Sequence, residues 1–286
     1  MSRGLRLLML LPLLLIPHHR ALAGPPYQLD DPDVIPYHWH EFYVWSGVTS
    51  SPGVVNTAGP AIEFNWSLIP NSMFHFIAPL GTSIQNGGPT TFGPVDGEFG
   101  FQLQFLPETK RRPMIGTFLM MELPWGQVSR GLGAGKPSWK IPLYAKKTIG
   151  DWSIDGGGGI NISNEIPGGR NYPFGGTIIN YQASKTLTIG PELFAHGRPT
   201  VDPALSQYAV DLDFGGYYTF DSQHPGFQFL FAYGHSIAGQ AENYGYVALY
   251  WTWGPASSDQ AADERSAALD WSRSAGTARS RSGFGF

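Results

Sequence analysis

The sequence contains no cysteine, which excludes disulfide bonds and thiolate chemistry. Charged residues account for only 14% of the chain, well below the share of about a quarter that is usual in soluble domains. Beyond the first residues, no run of about eighteen consecutive apolar residues occurs, so the sequence predicts no membrane-spanning helix. The chain therefore lacks both the charge of a water-exposed surface and the apolar runs of a helical membrane protein.

Basic residues are also scarce. The formal net charge is -4 and the sequence pI is about 6.0, and no basic patch interleaved with aromatic residues occurs, which argues against nucleic-acid binding. What the chain does contain is 37 glycines, 24 prolines and 14% aromatic residues. Glycine and proline disfavour helices, so this composition favours an all-β protein.

Residues 1–23 have the form of a secretory signal peptide. Arg3 and Arg6 precede an apolar core from Leu7 to Ile16, and Ala21-Leu22-Ala23 provides a small-residue cleavage site. The alternative, a retained membrane anchor, is disfavoured because the apolar core is too short to span a bilayer. The sequence therefore predicts cleavage near Ala23 and delivery to an envelope or extracellular compartment.

The clearest structural signal lies in residues 94–123, which read as two strands joined by a short charged turn. From Val95 to Phe105 the apolar and aromatic residues fall on one parity, whereas carboxylates and amides fall on the other. A period of two indicates a β-strand, and a length of about 9–11 residues is that of a membrane-crossing strand. Such a strand can face lipid on one side and a polar interior on the other without any long apolar run.

The same strand pattern recurs between residues 37 and 253. Long and short connections alternate, the strand count is even and aromatic residues collect near strand ends, as in outer-membrane barrels. A soluble β-sandwich would also alternate, but would not combine so many long strands with so few charges. We therefore predict an all-β fold, an antiparallel transmembrane β-barrel of about twelve strands within residues 24–253. Besides the hairpin 94–123, the predicted strands are 37–48, 60–67, 73–80, 139–146, 152–160, 177–183, 187–196, 208–217, 227–234 and 243–253.

Two segments flank the predicted strands. Residues 24–36 are rich in proline and aspartate and are expected to form an extended lead. Residues 254–286 consist largely of Ala, Ser, Gly and Arg and are predicted to be a disordered tail. Because Trp253 has the position of the aromatic residue on which the last strand of such barrels usually ends, the tail is a departure from the usual pattern.

Several motifs taken in order resemble those of a known family. They include GPPYQLDDPD, HWHEFYVWSG, GEFGFQLQF and SKTLTIGPELF. Over residues 24–253 the chain resembles the bacterial outer-membrane family labelled meta-pathway phenol-degradation proteins. The resemblance implies a β-barrel from bacteria that metabolise aromatic compounds, with a role in uptake, and it supplies no catalytic residue.

Polar residues on the predicted strands are expected to face the interior, since carboxylates facing lipid at the membrane midplane are costly. A barrel of about twelve strands is narrower than an open porin of 16 to 18 strands, so inward loops or side chains could fill it. The residues predicted to line the lumen are Glu63, Asn65, His75, Asp96, Glu98, Gln102, Gln104, Glu122, Lys140, Asn180, Gln182, Glu192, Asp211 and Asp213.

Three functions are compatible with such a barrel: passive uptake of small, aromatic or hydrophobic solutes, a closed structural or adhesion barrel acting through its outer loops, and a barrel hydrolase using His75. The hydrolase is disfavoured because no G-x-S-x-G motif occurs and an isolated inward histidine is usually structural. His38 and His40 could form a metal pair but have no third ligand nearby in sequence. The sequence therefore predicts no enzyme, no metal and no cofactor. The predicted partners are outer-membrane lipid, lipopolysaccharide, the barrel-assembly machinery and a small-molecule solute.

Overall fold

A computed structural model describes residues 26–201, 207–220 and 226–255. The predicted signal peptide and cleavage site fall outside these residues, as does the predicted tail beyond Pro255. No helix within the described residues has the length and apolar character needed to cross a membrane.

The described residues form one antiparallel sheet that closes on itself. Strand β1 pairs with β13, and β2 pairs with β3, so the sheet has no open edge. Strands β4 and β5 pair with successive parts of β3 and occupy one position, which makes a barrel of twelve strands. The predicted fold class is confirmed. The strands are β1 (His40–Ser51), β2 (Val54–Trp66), β3 (Ser72–Gln85), β4 (Thr90–Pro94), β5 (Gly97–Leu106), β6 (Met114–Leu123), β7 (Ser138–Ile149), β8 (Trp152–Ile162), β9 (Tyr172–Gln182), β10 (Leu187–His196), β11 (Ala209–Thr219), β12 (Phe227–Gly239) and β13 (Asn243–Trp253).

The outward face of the sheet is apolar and the inward face is polar, which is the reverse of the arrangement in a soluble protein. On β7, the adjacent residues Leu143 and Tyr144 are 56% and 1% exposed, and the buried parity continues to Lys146. Ile154, Leu193 and other aliphatic side chains point outward along neighbouring strands, whereas many carboxylates are buried. An apolar outer face around a polar interior is the pattern of a β-barrel solvated by lipid.

The barrel has two distinct ends. At one end, which we call the terminal end, β1 begins at His40 and β13 ends at Trp253. The opposite end, the loop end, carries the connections 52–53, 86–89, 124–137, 163–171 and 240–242, together with the described residues 197–201 and 207–208 between β10 and β11. The 124–137 connection contains a short 3-10 helix, Val128–Arg130.

Most of residues 81–93, which lie between the predicted strands 73–80 and 94–123, belong to strands. Strand β3 continues to Gln85 and β4 begins at Thr90, so only residues 86–89 connect them. Likewise, β2 begins at Val54 rather than near Pro60. Gly and Asn in these segments are weak strand formers, but pairing with neighbouring strands overrides such preferences.

Glycines bring β8 and β9 close together on one side of the barrel. Gly157 is paired with Gly176 and Gly158 with Gly175. A Cβ atom added at Gly158 would overlap the carbonyl oxygen of Phe174. The run of four glycines, residues 156–159, therefore belongs to a strand that another backbone approaches closely.

Candidate functional site in the barrel lumen

The N-terminal segment, residues 26–36, lies inside the barrel. Tyr27 donates its hydroxyl to Asn180 Oδ1 at 2.7 Å and to the Gly190 carbonyl at 3.0 Å, on β9 and β10. On the other side, the hydroxyl of Tyr244 on β13 donates to the carbonyl of Pro26. Leu29 has no exposed surface. The segment that the sequence predicted only as an extended lead therefore fills much of the lumen.

Acidic side chains on β10 and β11 hold the middle of this segment. Both oxygens of the Glu192 carboxylate accept backbone N–H groups, from Gln28 at 2.9 Å and from Leu29 at 2.7 Å. The side-chain amide of Gln28 donates to Asp211 at 3.1 Å and to Asp213 at 2.9 Å. An extended peptide carries N–H groups that need partners when they are buried, and the wall carboxylates supply them.

Two lysines on β7 hold the acidic part of the segment. Lys146 Nζ lies 3.0 Å from Asp31, 2.5 Å from Asp33 and 3.6 Å from Asp155 of β8. Lys140 Nζ lies 2.9 Å from Asp30. In addition, Gln102 of β5 donates its side-chain amide to the Asp31 carbonyl. Charged groups at this depth are stable only when they are paired, so these contacts fix the position of the segment.

A second polar cluster lies on the opposite wall, formed by β1, β2, β3 and β5. His75 Nδ1 lies 2.7 Å from Asn65 Oδ1, and its Nε2 lies 3.0 Å from Glu98 Oε1. Asn65 Nδ2 in turn donates to Glu41 and to Glu63. Both ring nitrogens of His75 face oxygen acceptors, an arrangement that a protonated imidazolium satisfies. The histidine is thus engaged in a hydrogen-bonded network, with neither ring nitrogen directed at a serine or threonine hydroxyl.

A cavity of about 660 Å³ lies between this plugged region and the loop end. Trp45, Trp139, Tyr172, Tyr244 and Tyr246 provide aromatic lining. The acidic lining is Asp96, Glu98 and Glu122, and Lys140 is the basic lining residue.

The acidic groups of the cavity are already engaged by the protein. Asp96 accepts the backbone N–H groups of Gly126 at 2.7 Å and Ala134 at 2.5 Å, which folds the 124–137 connection over the cavity. Glu122 accepts a hydrogen bond from Ser138, and Glu98 contacts His75. The cavity is therefore an aromatic compartment whose carboxylates are largely satisfied.

Two buried donors in the cavity wall have no hydrogen-bond partner among the described residues. These are Trp45 Nε1 and the hydroxyl of Tyr246, whose rings pack with centroids 5.6 Å apart. An unsatisfied buried donor costs about 1–3 kcal/mol. A solute acceptor that reached either group would recover part of that free energy.

The residues predicted to line the lumen fall into four places. Glu192, Asp211, Asp213, Asn180, Gln102 and Lys140 contact the N-terminal segment. Glu63, Asn65, His75 and Glu98 form the second cluster, with Glu98 also at the cavity. Asp96 and Glu122 line the cavity. Gln104 contacts the Met114 sulfur at 2.9 Å, and Gln182 is half-buried opposite Thr188.

Sequence reasoning missed the partners of these residues. It did not predict that Gln28, Asp30, Asp31 and Asp33 enter the lumen, nor that Asp155 joins Lys146. The polar face of the predicted strands carries more carboxylates than bases, which indicated that these carboxylates need hydrogen-bond donors. The aspartates of residues 24–36 likewise indicated that this segment needs basic partners. Nothing local in the sequence joins those two signals.

Comparison with solved structures supports the fold. The chain is similar to an outer-membrane channel from Pseudomonas putida F1, with a TM-score of 0.66 and 11% identity, covering 79% of this chain and 100% of that one. The match to the NanC porin has a TM-score of 0.48 and 9% identity, and covers 73% of this chain and 98% of that one. The match to the KdgM porin has a TM-score of 0.48 and 10% identity, and covers 74% of this chain and 99% of that one. At these identities the first match shows the barrel fold alone, and the two porins add no argument.

No family model and no curated protein matches the chain. The class defined by the structure is thus a closed antiparallel barrel of twelve strands with an occupied lumen. The resemblance to the phenol-degradation family stays a hypothesis beyond that class.

Proposed function

We propose that this protein is a bacterial outer-membrane barrel that gives passive passage to small solutes, with a preference for aromatic or hydrophobic ones. The observation that carries the proposal is the aromatic cavity of about 660 Å³, whose lining residues Lys140 and Tyr244 also contact the N-terminal segment. The apolar outer face of the strands supports the membrane location, since water would not solvate it. Outer-membrane lipid, lipopolysaccharide and the barrel-assembly machinery follow as partners from that location.

Passage through this lumen requires the N-terminal segment to shift. Its contacts with Glu192 and Lys146 occupy the path between the cavity and the terminal end. The segment is held by hydrogen bonds and ion pairs and has no strand pairing with the wall. It can therefore be displaced without breaking the barrel ladder, and we assign it the role of a gate.

The preference for aromatic solutes rests on the cavity lining. A neutral ring can stack on Trp45, Tyr244 or Tyr246, and offset or edge-to-face ring pairs contribute about 0.5–1.5 kcal/mol beyond burial. Trp45 Nε1 and the Tyr246 hydroxyl have no partner among the described residues and are shielded from the cavity, so a phenolic oxygen could accept from either donor only after the ring turned toward the solute. The satisfied carboxylates make the site less suited to a strongly anionic solute.

Single-channel recording in planar bilayers tests the proposal. We expect current steps from the refolded protein that neutral phenol blocks at lower concentration than an aromatic acid. Tyr246→Phe, which keeps the ring and removes the donor, should weaken the phenol block several-fold. Tyr217→Phe is the matched control, because Tyr217 is also a buried tyrosine without a hydroxyl partner but does not line the cavity. Block that is equal in all three proteins would contradict a binding role for the cavity.

The closed structural barrel is the second candidate, favoured by the completeness of the contacts around residues 26–36. Pro26, Leu29 and Pro32 are fully buried, and Asp31 is 3% exposed. This candidate predicts a silent bilayer even though the protein is folded, as judged by heat-modifiable migration on a gel. It also predicts that weakening the segment's contacts produces no current.

A further inference from the structure

Three potential metal ligands from distant parts of the chain meet at the loop end. They are His196 at the end of β10, Asp211 near the start of β11 and Glu242 in the connection between β12 and β13. One ligand atom from each residue lies within 4.8 Å of the others. One imidazole nitrogen and two carboxylate oxygens form a donor set that suits Zn²⁺ and similar divalent metals.

The distance between His196 and Glu242 fits two ligands of one metal better than a direct ion pair. His196 Nε2 lies 3.4 Å from Glu242 Oε2. A charge-assisted N–H···O hydrogen bond is shorter, about 2.7–2.9 Å. Two ligand atoms bound about 2.1 Å from a tetrahedral Zn²⁺ are about 3.4 Å apart.

The orientation of His196 leaves Nε2 directed into the cluster. Its Nδ1 lies 2.7 Å from the Gly197 carbonyl oxygen, which can only accept, so Nδ1 carries the proton. The ring is also packed edge-on against Tyr172, at 6.0 Å between centroids. A backbone carbonyl that holds the second nitrogen of a histidine is the usual means of fixing the tautomer of a metal ligand.

The carboxylates are positioned by a shared residue, Ser236. Its hydroxyl donates to Asp211 Oδ1 at 2.6 Å, and its oxygen accepts the backbone N–H of Glu242 at 2.9 Å. Asp211 is 4% exposed, and the side chains that donate to it, Ser236 and Gln28, are both neutral. A buried carboxylate beside a second carboxylate is stabilised by a cation.

From these contacts we infer that His196, Asp211 and Glu242 bind a divalent transition metal, Zn²⁺ being the best match to the donor set. The metal would join β10, β11 and the 240–242 connection at the loop end. The three residues lie outside the cavity lining, but Asp211 also accepts a hydrogen bond from Gln28 of the N-terminal segment, so the metal site and the proposed gate share one residue.

Metal titration of untagged protein purified from membranes tests the inference. Calorimetry with Zn²⁺ should show one site per chain, and Co²⁺ should give the visible absorption of a nitrogen- and oxygen-ligated ion. His196→Gln and Glu242→Gln should each lower Zn²⁺ affinity at least tenfold. Ser236→Ala should lower it by about 10-fold, since residues that orient metal ligands typically contribute 10–100-fold.

His235→Gln is the matched control. His235 is an exposed histidine near the same end of β12, in contact with Asn243, and should have no effect on Zn²⁺ binding. Heat-modifiable migration establishes that each variant is folded, and if His196→Gln does not fold, Glu242→Gln decides the question alone. Equal Zn²⁺ affinity in the wild type, Glu242→Gln and His235→Gln would overturn the inference.

Discussion

The ammonium group of Lys146 lies 3.0 Å from the carboxylate of Asp31, and both side chains are almost fully buried in the lumen. Lys146 belongs to the barrel wall and Asp31 to the N-terminal segment, so this contact joins the two. With Asp33 and Asp155 nearby, three acidic groups surround one base. Lys146 is therefore the cation that these three carboxylates share.

We expect Lys146→Met to release the segment. Methionine has similar length but leaves Asp31, Asp33 and Asp155 without their cation. Removing one partner of a buried ion pair costs about 3–5 kcal/mol. Urea unfolding of refolded protein should show a loss of that order, and bilayer recording should show larger or more frequent current steps. Lys147→Met is the control, because Lys147 contacts Glu108 at the barrel surface; similar behaviour of the two variants would contradict the assignment.

Gln28→Glu should open the lumen by charge repulsion. The variant differs from the wild type by one oxygen for one nitrogen, but it places a carboxylate against Asp211 and Asp213, which now accept from the Gln28 amide. Like charges at hydrogen-bond distance repel, so the N-terminal segment should move away from β11. We expect conductance to rise about twofold or more.

Gln85 is the control position for this prediction. It is exposed and takes no part in the lumen contacts, so Gln85→Glu adds the same negative charge elsewhere. Gln85→Glu should leave conductance close to that of the wild type. If Gln28→Glu also leaves conductance unchanged, the segment is not the element that limits current.

Glu108 predicts a small dependence of stability on pH. This residue lies in the connection between β5 and β6, outside the strands. Partial burial raises its pKa, but hydrogen bonds from Lys147 and from the backbone N–H of Thr148 outweigh this and hold the pKa below its usual range. A lowered pKa means that the contribution to stability is present near neutral pH and is lost as the pH falls below about 4.5 and through the lowered value.

The matching measurement compares wild type with Glu108→Gln across pH. The variant should be slightly less stable to urea at pH 7, by no more than about 1 kcal/mol because the pair is near the surface. The difference should shrink as the pH falls below about 4. A difference that grows on acidification would have the wrong sign for this contact.

Gly158→Ala should destabilise the wall, whereas Gly156→Ala should not. A methyl group at Gly158 meets the backbone of Phe174 and Gly175, whereas at Gly156 the nearest atom is the Thr177 hydroxyl at 3.5 Å. Overpacking of this kind costs about 1–3 kcal/mol. The midpoint of urea unfolding should fall for the first variant alone; equal midpoints would mean that β8 and β9 can move apart at no cost.

The barrel could be predicted from the sequence because its signal is local and repeated. Apolar and polar residues alternate within each strand. The outward face of Leu143 and the inward face of Tyr144 can therefore be assigned without knowing which strands are their neighbours. Boundaries near glycine or asparagine, such as Gln85 and Val54, were missed because pairing with the neighbouring strand, not intrinsic propensity, decides them.

The contents of the lumen could not be predicted in the same way. The contact between Gln28 and Asp213 and that between Asp31 and Lys146 join residues more than one hundred positions apart. Their side chains carry only the information that they are polar and need partners. The same holds for His196 and Glu242, which become neighbours only because β10, β11 and the 240–242 connection meet at the loop end.

The placement of Pro26 deep within the ring that β1 and β13 close has a practical consequence for anyone who modifies this protein. A bulky fusion partner or affinity handle attached just ahead of Pro26 would have to share the space beside Tyr244 or pass the aromatic cavity to reach the loop end. Reporter groups are better attached after the last strand, beyond Trp253, where the chain leaves the sheet.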